Sequence, residues 1–242
     1  MAIPRFYTSS PLTPGEQTLG VDFAHHARVL RLKLGDALIL FNGDGNTYGG
    51  QLMQLDKLSA TVVIDEPLQA LSELPFELTL AQGLVEPSKM DWIVEKAVEL
   101  GVTHLVPIAA ARSVTKLDPS RAAKRMAHWQ ALVIAASQQS GRSRLMTIAQ
   151  PLSLSEHLNI QDVGETSHLL LHPTGGASLK SWCQSHKPSP VCIWIGPEGG
   201  WSPQELATLE AAGAQRISFG ERVLRTETAG LAVAAAIQAL WA

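Results

Sequence analysis

From residue 76 onward, strand-like apolar runs alternate with segments that have helical spacing. The strand-like runs lie at 76–84, 102–109, 168–172, 191–195 and 216–219. Helices are predicted between them, and the longest begins at Asp118-Pro119 and ends at Gly141. This alternation is typical of an α/β fold, in which helices cover a mainly parallel sheet. By itself it predicts a doubly wound domain with its ligand at the C-terminal ends of the strands, and it gives no reason to expect a knot.

The first 66 residues have a different character, because short strand-like runs dominate and only one helix is predicted. Asp22 is a candidate cap for that helix, which we expect to run through Leu32. Strands are predicted at 37–41, 47–54 and 60–64, joined by tight turns. Short strands with tight turns predict a small barrel. A proline-bounded stretch at 66–75 is the predicted linker, so we expect domains at 1–72 and 73–242.

Two segments near the C-terminus carry the features of ligand-binding loops. The first, Gly196-Pro197-Glu198-Gly199-Gly200, lies between an apolar strand and a helix that begins with the capping box Ser202-Pro203-Gln204-Glu205. The second, residues 220–229, lies between another strand and an Ala-rich helix running to about Trp241. Glycines let backbone N–H groups approach a ligand closely, and a helix N-terminus adds partial positive charge. Each segment alone could be a structural turn, but the pair is more specific.

Composition and charge exclude some classes of protein. No run of about 18 apolar residues is present and the N-terminus lacks a secretory apolar core, so we expect a cytoplasmic protein. Cys183 and Cys192 are too few for a zinc site or disulfide framework, and we expect reduced thiols and no metal. The net charge of −3 disfavours nucleic acid, yet basic residues cluster. Seven of them surround the single acid Asp118: Arg112, Lys116, Arg121, Lys124, Arg125, Arg142 and Arg144. Such a cluster either solvates a helix face or tracks a phosphate backbone.

These motifs resemble the RsmE family, methyltransferases that modify uridine N3 in small-subunit ribosomal RNA. The resemblance is carried by the glycine segment 196–200 and by 222–229, which contains Arg225-Thr226-Glu227-Thr228. Lys89 with 92–102, 139–142, and Pro4-Arg5-Phe6 also match family signatures. One departure is Gln138, where the family pattern has an acid that could orient Arg142.

The resemblance implies a fold and partners. The fold would be a knotted (SPOUT, trefoil-knot) parallel-sheet methyltransferase domain, preceded by a PUA-like RNA-recognition β-barrel. The cofactor would be S-adenosylmethionine, and the substrate 16S ribosomal RNA within an assembled small subunit. The resemblance also implies a homodimer with active sites at the subunit interface. Trp241 is a candidate to pack there, although it could equally fill the core of its own domain.

The resemblance also implies roles for individual residues. Arg225 is the first candidate to stabilise negative charge on the uracil, and Glu227 or Glu198 could act as the base, although either glutamate could instead pair with Arg225. Glu198 could also hold its own loop, and His172 could be a turn residue. The predicted cofactor-binding residues are Leu171, His172, Pro173, Ile195, Gly196, Pro197, Glu198, Gly199, Gly200, Gly220, Leu224, Arg225, Thr226 and Thr228. The predicted RNA-binding residues are Arg5, Arg28, Arg31, Lys89, Arg112, Arg121, Lys124, Arg125 and Arg142.

Two other functions remain open at this stage. A Rossmann-like nucleotide enzyme would use the glycine loop for phosphate, but no G-x-G-x-x-G follows the first strand of the α/β domain and no G-x-x-x-x-G-K-[ST] occurs. A non-catalytic RNA-binding or assembly factor would need the basic region and the barrel, but not the loop around Arg225.

Overall fold

The computed structural model describes residues 3–69, 73–115, 119–160 and 165–241. Lys116 and Asp118 of the basic cluster lie outside these ranges, and so does the side chain of Arg121. The chain forms two compact units. Unit 1 comprises residues 1–73 and 134–145, and unit 2 comprises 74–133 and 146–242. The predicted split at 72/73 is therefore not a simple division of the chain, because 134–145 packs with the first unit.

The elements occur in the following order along the chain. They are β1 (Arg5–Tyr7), β2 (Gly15–Leu19), α1 (Val21–Val29), β3 (Ala37–Phe41), β4 (Asn46–Leu55), β5 (Ala60–Gln69), β6 (Leu78–Gly83), α2 (Pro87–Glu99), β7 (His104–Ile108), α3 (Pro119–Ser140), β8 (Thr147–Ile148), α4 (Leu154–Ile160), β9 (Ser167–Leu171), β10 (Ala177–Ser178), α5 (Leu179–Ser185), β11 (Val191–Ile195), α6 (Pro203–Ala211), β12 (Gln215–Ser218) and α7 (Thr226–Trp241).

Unit 1 is built on a five-stranded sheet in the order β1-β3-β4-β5-β2. β1 pairs with β3 in parallel, and the other neighbours are antiparallel. Its core contains Phe6, Leu40, Leu52 and Val62, each at most 1% exposed, and α1 adds Phe23. The three predicted strands are present. The predicted linker at 66–75 begins too early, however, because β5 continues to Gln69 by pairing with β4.

The predicted cap and end of α1 are both wrong. Gly20 is the N-cap, no side chain caps the helix, and Asp22 lies in the first turn. The helix ends at Val29 rather than Leu32, because Arg31 adopts a left-handed conformation with φ of 58°. The N–H of Leu32 then bonds back to the carbonyl of Ala27, and the N–H of Arg31 bonds to that of Arg28. This pairing closes the helix C-terminus.

Residues 134–145 complete unit 1 through a buried network. Arg142, only 3% exposed, donates from Nε and Nη2 to Oε2 of Glu73 at 3.1 and 2.9 Å. Arg5 donates to the carbonyl of Arg142 and to the hydroxyl of Ser143, both at 3.2 Å. Gln138 donates to the carbonyl of Arg5 at 3.1 Å. The acid that orients Arg142 is therefore Glu73, and Gln138 holds Arg5.

Unit 2 confirms the predicted parallel sheet. Its seven strands follow the order β10-β12-β9-β11-β6-β7-β8, and every neighbouring pair is parallel. Because β11 inserts between β9 and β6, the C-terminal ends of β9, β11 and β6 lie side by side. Helix α6 has the predicted capping box between Ser202 and Glu205. The predicted loop at 220–229 is shorter than expected, because α7 already begins at Thr226.

The C-terminal helix packs closely on the sheet of unit 2. At Gly230, an added Cβ would lie 2.8 Å from Leu80 Cδ1 and 3.2 Å from Ile195 Cγ1, so this position needs a residue without a side chain. Trp241 packs against Phe76 and Trp182 and donates to the carbonyl of Cys183 at 3.1 Å. Trp241 thus contacts its own unit, which supports the core alternative for this residue.

The two cysteines have similar surroundings. Cys183 and Cys192 are both free and buried, and burial raises the pKa of each thiol. Within the described ranges, no helix combines the length and the hydropathy that a membrane crossing requires.

Candidate functional site

A cavity of about 620 Å³ opens in unit 2 where the strands β9, β11 and β12 end. Its walls are the residues that follow these strands, the first turn of α7, Lys89 of α2, and Arg112. All the predicted cofactor-binding residues line this cavity except Gly199 and Thr228. The wall also includes Trp201, Leu206 and Phe219, which the sequence did not single out, and Arg222, Val223 and Ala229 of the predicted loop 220–229.

A hydrogen-bond relay joins the glycine loop to the start of α7. The hydroxyl of Thr226 donates to the carbonyl of Gly196 at 2.5 Å, and Nε2 of Gln82 donates to that hydroxyl at 2.9 Å. Gln82 is fully buried in β6. Sequence reasoning missed Gln82, although a glutamine inside the apolar strand 78–83 is a signal, since a buried amide needs partners. The relay fixes the two predicted loops against each other.

The glycines of the loop serve different purposes. Gly200 has a φ of 66°, which favours glycine. At Gly83, an added Cβ would lie 2.5 Å from the backbone nitrogen of Pro197, so β6 can approach the loop only without a side chain there. Gly199 does not face the cavity. An added Cβ at Gly199 would lie 3.0 Å from Cβ of Arg112, so this glycine makes room for Arg112.

Glu198 is held by a basic partner. Nζ of Lys89 donates to its Oε1 at 3.1 Å. Burial alone would raise the pKa of Glu198, but hydrogen bonds from its own backbone N–H and from Lys89 lower this pKa below its ordinary value. In turn, the hydrogen bond to Glu198 raises the pKa of Lys89. Both groups are therefore charged at neutral pH. The pairing of Glu198 is with Lys89, and not with Arg225 as one alternative proposed.

Glu227 is in a different position. It lies in the first turn of α7 and lines the cavity, and its Oε2 is buried without a hydrogen-bond partner in the described part of the chain. Arg225, one residue before α7, lines the same cavity and is exposed. His172 also lines the cavity, but its Nδ1 contacts the carbonyl of Thr174 at 2.7 Å, which is a turn contact. Glu227 Oε2 and the Arg225 guanidinium thus have no hydrogen-bond partner among the described residues, and both residues line one cavity.

Comparison with known proteins identifies the family. The sequence model of the RNA methyltransferase domain matches residues 72–238, and that of the RNA methyltransferase PUA domain matches residues 22–65. The chain belongs to the RsmE family of RNA methyltransferases. A relative named ribosomal RNA small subunit methyltransferase E from Synechocystis is 35% identical over 88% of this chain and 69% of the relative. The Bacillus subtilis protein of the same name is 31% identical over 90% of this chain and 87% of its own.

Solved structures agree with this assignment. The methyltransferase E of Neisseria gonorrhoeae, bound to S-adenosyl methionine, has a TM-score of 0.91 at 34% identity and covers 99% of this chain and 98% of its own. A putative methyltransferase of Legionella pneumophila, in complex with the same cofactor, has a TM-score of 0.89 at 31% identity and covers 99% of this chain and 98% of its own. The α/β fold with a PUA domain is therefore that of the RsmE family.

The residues predicted to bind RNA in this RsmE-family chain have unequal surroundings. Arg142 is buried with Glu73, and the guanidinium of Arg5 lies over the ring of Phe41 at 5.2 Å, so both make contacts within unit 1. Arg125 contacts Asp91 at 3.4 Å. Arg28 donates to the carbonyl of Lys57 at 2.8 Å but remains exposed. Sequence reasoning could not separate these cases, since the partners lie far away in the chain.

Arg112 and Lys89 belong to the cavity wall itself, so their predicted contact with RNA would occur there. Arg31 and Lys124 are exposed, as an RNA contact requires. These assignments stay predictions.

Proposed function

We propose that this protein transfers the methyl group of S-adenosylmethionine to N3 of a uridine in 16S ribosomal RNA. One observation carries the proposal. A chain of the RsmE family has a cavity of about 620 Å³ formed by the predicted loops, and this volume suits a cofactor of this size. Two similar structures are described with that cofactor bound.

The residues of the cavity fit the cofactor. Leu171, Ile195 and Leu224 offer apolar walls for an adenine, and the backbone of 196–200 offers N–H and carbonyl groups at its edge. When bound, S-adenosylmethionine supplies an electrophilic methyl group on a sulfonium. The protein's part is to align the uridine N3 with it, and such alignment supplies much of the acceleration.

Uridine N3 carries a proton at neutral pH, so the reaction needs an acceptor for it. We assign that role to Glu227, because its buried Oε2 has no other partner among the described residues, whereas Glu198 is held by Lys89. A carboxylate with a lowered pKa is also a weaker base, which further disfavours Glu198. As N3 bonds to the methyl carbon, the carbon–sulfur bond breaks and its electron pair stays on sulfur. The N3 proton passes to the carboxylate of Glu227.

Arg225 completes the proposed site. Charge spreads onto the uracil oxygens as N3 loses its proton, and the planar guanidinium of Arg225 can donate to such an oxygen. N3 lies on the Watson–Crick edge, so a paired uridine has to leave its partner before it enters the cavity.

The wider proposals follow from family membership. We infer a trefoil knot in the domain 73–242, in which the segment before α7 passes through a loop, and the relay from Gln82 to Gly196 would hold that crossing. The domain 1–72 would be the PUA-like barrel that binds RNA. The functional form would be a cytoplasmic homodimer that acts on an assembled small subunit.

Calorimetry separates the proposed function from its rivals. We expect the protein to bind S-adenosylmethionine and to bind neither NAD nor ATP. Binding of NAD or ATP alone would support a nucleotide enzyme, and RNA binding without any cofactor binding would support an assembly factor.

Single-turnover methylation of small subunits then tests the base. Glu227→Gln should lower the rate by about 10²–10⁴ and leave cofactor affinity intact. Glu198→Gln, the matched control, should lower the rate far less. If Glu198→Gln proves to be the slower variant, the roles of the two glutamates are reversed.

A further inference from the structure

Gln82 is a fully buried polar side chain that does not line the cavity. It lies near the C-terminal end of β6, in register with Ile195 of β11. Its Nε2 donates to the hydroxyl of Thr226 at 2.9 Å and to the carbonyl of Gly83 at 3.0 Å, whereas its Oε1 is buried without a partner among the described residues. A buried acceptor without a partner is costly. The favourable contribution of this side chain therefore comes from its two N–H groups.

These two N–H groups fix the direction of the hydrogen bonds of Thr226. A hydroxyl has one hydrogen to donate. Because Gln82 donates to the Thr226 oxygen, the hydrogen of Thr226 is left for the carbonyl of Gly196, at 2.5 Å. The reverse orientation of the Gln82 amide would set its oxygen against the carbonyl oxygen of Gly83, which disfavours it. Thr226 is thus held on two sides, by β6 and by the glycine loop.

Thr226 lies between the two residues to which the proposed chemistry is assigned. Arg225 precedes it, Glu227 follows it, and both line the cavity. Thr226 is the first residue of α7 and is only 9% exposed, and the N–H groups of Thr228 and Ala229 bond to the carbonyl of Arg225. A first helical turn that is held at Thr226 therefore sets the backbone from which both neighbouring side chains extend.

We propose that Gln82 is a positioning residue for methyl transfer, which through Thr226 sets the positions of Arg225 and Glu227 relative to the uridine. This inference rests on the proposed function. Because Gln82 does not line the cavity, it acts on the reaction only through Thr226. A displacement of about 1 Å near a reacting group can cost about 10²-fold in rate. A hydrogen bond outside the cavity can therefore matter as much as a contact inside it.

The alternative is that the relay only holds the glycine loop in the shape that the cofactor needs. The two roles impair different steps. Loss of a loop support weakens binding of S-adenosylmethionine, and an excess of cofactor then restores the rate. Loss of positioning lowers the rate even when the cofactor is saturating.

The test is single-turnover methylation of small subunits at saturating S-adenosylmethionine, together with calorimetry of cofactor binding. Gln82→Met keeps the length of the side chain and loses both donors. We expect its rate to fall about 10- to 100-fold, with little change in cofactor affinity. Thr226→Val should show the same loss, and Thr226→Ser, which keeps the hydroxyl, should retain most of the rate. The two Thr226 variants test the relay even if Gln82→Met does not fold.

Two comparisons separate positioning from a general loss of stability. Thr103 is the matched control, because its hydroxyl also binds the main chain of β6: it donates to the carbonyl of Leu78 and accepts from its N–H, both at 2.9 Å. Thr103→Val should lower the urea midpoint and leave the rate at saturating cofactor unchanged. In a chain that already carries Glu227→Gln, Gln82→Met should slow the reaction less than it slows the wild type, since the base that it positions is gone.

The remaining outcomes contradict the proposal. Weakened cofactor binding with a normal rate at saturation would leave Gln82 as a support of the glycine loop. An equal loss of rate in Thr103→Val would make the effect one of stability. The same fold-loss from Gln82→Met with and without Glu227→Gln would exclude action through Glu227. If the wild type itself does not methylate small subunits, the proposed function fails, which is a distinct result.

Discussion

Arg31 stands out because a side-chain-bearing residue occupies a backbone conformation that favours glycine. Its φ of 58° ends α1, and its side chain is exposed. A left-handed residue with a Cβ costs about 1–2 kcal/mol. No ion pair or side-chain hydrogen bond of Arg31 within the described ranges offsets that cost. The position is therefore a candidate for a residue kept for binding rather than for stability.

Arg31→Gly should separate these two properties. We expect the free energy of unfolding to rise by up to about 1 kcal/mol, because relief of strain exceeds the added chain entropy of glycine. RNA affinity should fall, and the slope of its salt dependence should decrease by about 1. Arg31→Lys keeps both the charge and the strain and should resemble the wild type. A glycine variant that binds RNA normally would remove Arg31 from the interface.

Arg225→Lys tests whether Arg225 stabilises negative charge on the uracil. Lysine keeps the positive charge and loses the planar fork, so single-turnover methylation should slow by about 10²–10³ if Arg225 donates to the uracil oxygen. Cofactor affinity should change little. A near-normal rate would leave Arg225 as a phosphate contact.

The sequence predicted which residues belong to a functional motif, but it did not predict their distant partners. Glu198 and Glu227 were both singled out, but their motifs do not reveal that Lys89, 109 residues away, pairs with Glu198. Likewise, the sequence places Arg142 in the basic cluster and does not reveal its buried ion pair with Glu73, 69 residues away. The sequence predicted that Gly199 approaches a ligand. A glycine that makes room for a neighbouring side chain gives the same sequence signal, so the two cases look alike. Which partner a residue meets depends on the folded chain.

At the scale of elements, α4 and the strands beneath it enclose two histidines. His157 of α4 and His168 of β9 both pack against the ring of Trp194, at 5.7 and 6.0 Å. Nδ1 of His168 accepts from the Trp194 indole at 3.1 Å. Burial lowers the pKa of His157, with a contribution from His168, and burial lowers the pKa of His168 as well. Both rings are therefore neutral in the folded protein near neutral pH.

Acid should consequently destabilise unit 2. The folded pKa values lie below those of the unfolded chain, so the unfolded state binds more protons and stability falls as pH drops below about 6.5. We expect a lower urea midpoint at pH 5.5 than at pH 7.5. His157→Phe should reduce this difference, and His25→Gln, a change at an exposed position, should not. A pH dependence that is unchanged in the His157 variant would exclude His157 as a cause of it.

The sequence predicted well those elements whose own residues show a recognisable apolar run or helical spacing. The apolar run at 191–195 coincides with β11, and the helix from 119 to Gly141 coincides with α3. The missed strands β1, β8 and β10 contain two or three residues each, too few for any periodicity. The strand β2 was missed as well, because Leu19 is the only apolar and the only buried residue among its five. Pairing with a neighbouring strand defines them. The end of α1 was missed because Arg31 stands where the usual signal is glycine.

At the scale of the whole molecule, α3 belongs to both units. Its residues up to Val133 pack with unit 2, where Trp129 is 1% exposed and donates to Asp91 at 3.1 Å. Its residues from Ile134 belong to unit 1, where Gln138 bonds to Arg5. Sequence could not predict this division, since the helical pattern is continuous from 119 to 140 and shows nothing of its partners. Because unfolding either unit removes partners from one continuous helix, we expect the two units to unfold together.

The distribution of aromatic residues makes this expectation measurable. All six tryptophans, at 92, 129, 182, 194, 201 and 241, lie in unit 2, whereas both tyrosines lie in unit 1. Tryptophan emission therefore reports on unit 2 alone, and far-UV circular dichroism reports on both units. The two signals should change with the same urea midpoint. S-adenosylmethionine at 100 times its dissociation constant should stabilise both by about 2.7 kcal/mol. If the cofactor shifts only the tryptophan transition, α3 does not couple the two units.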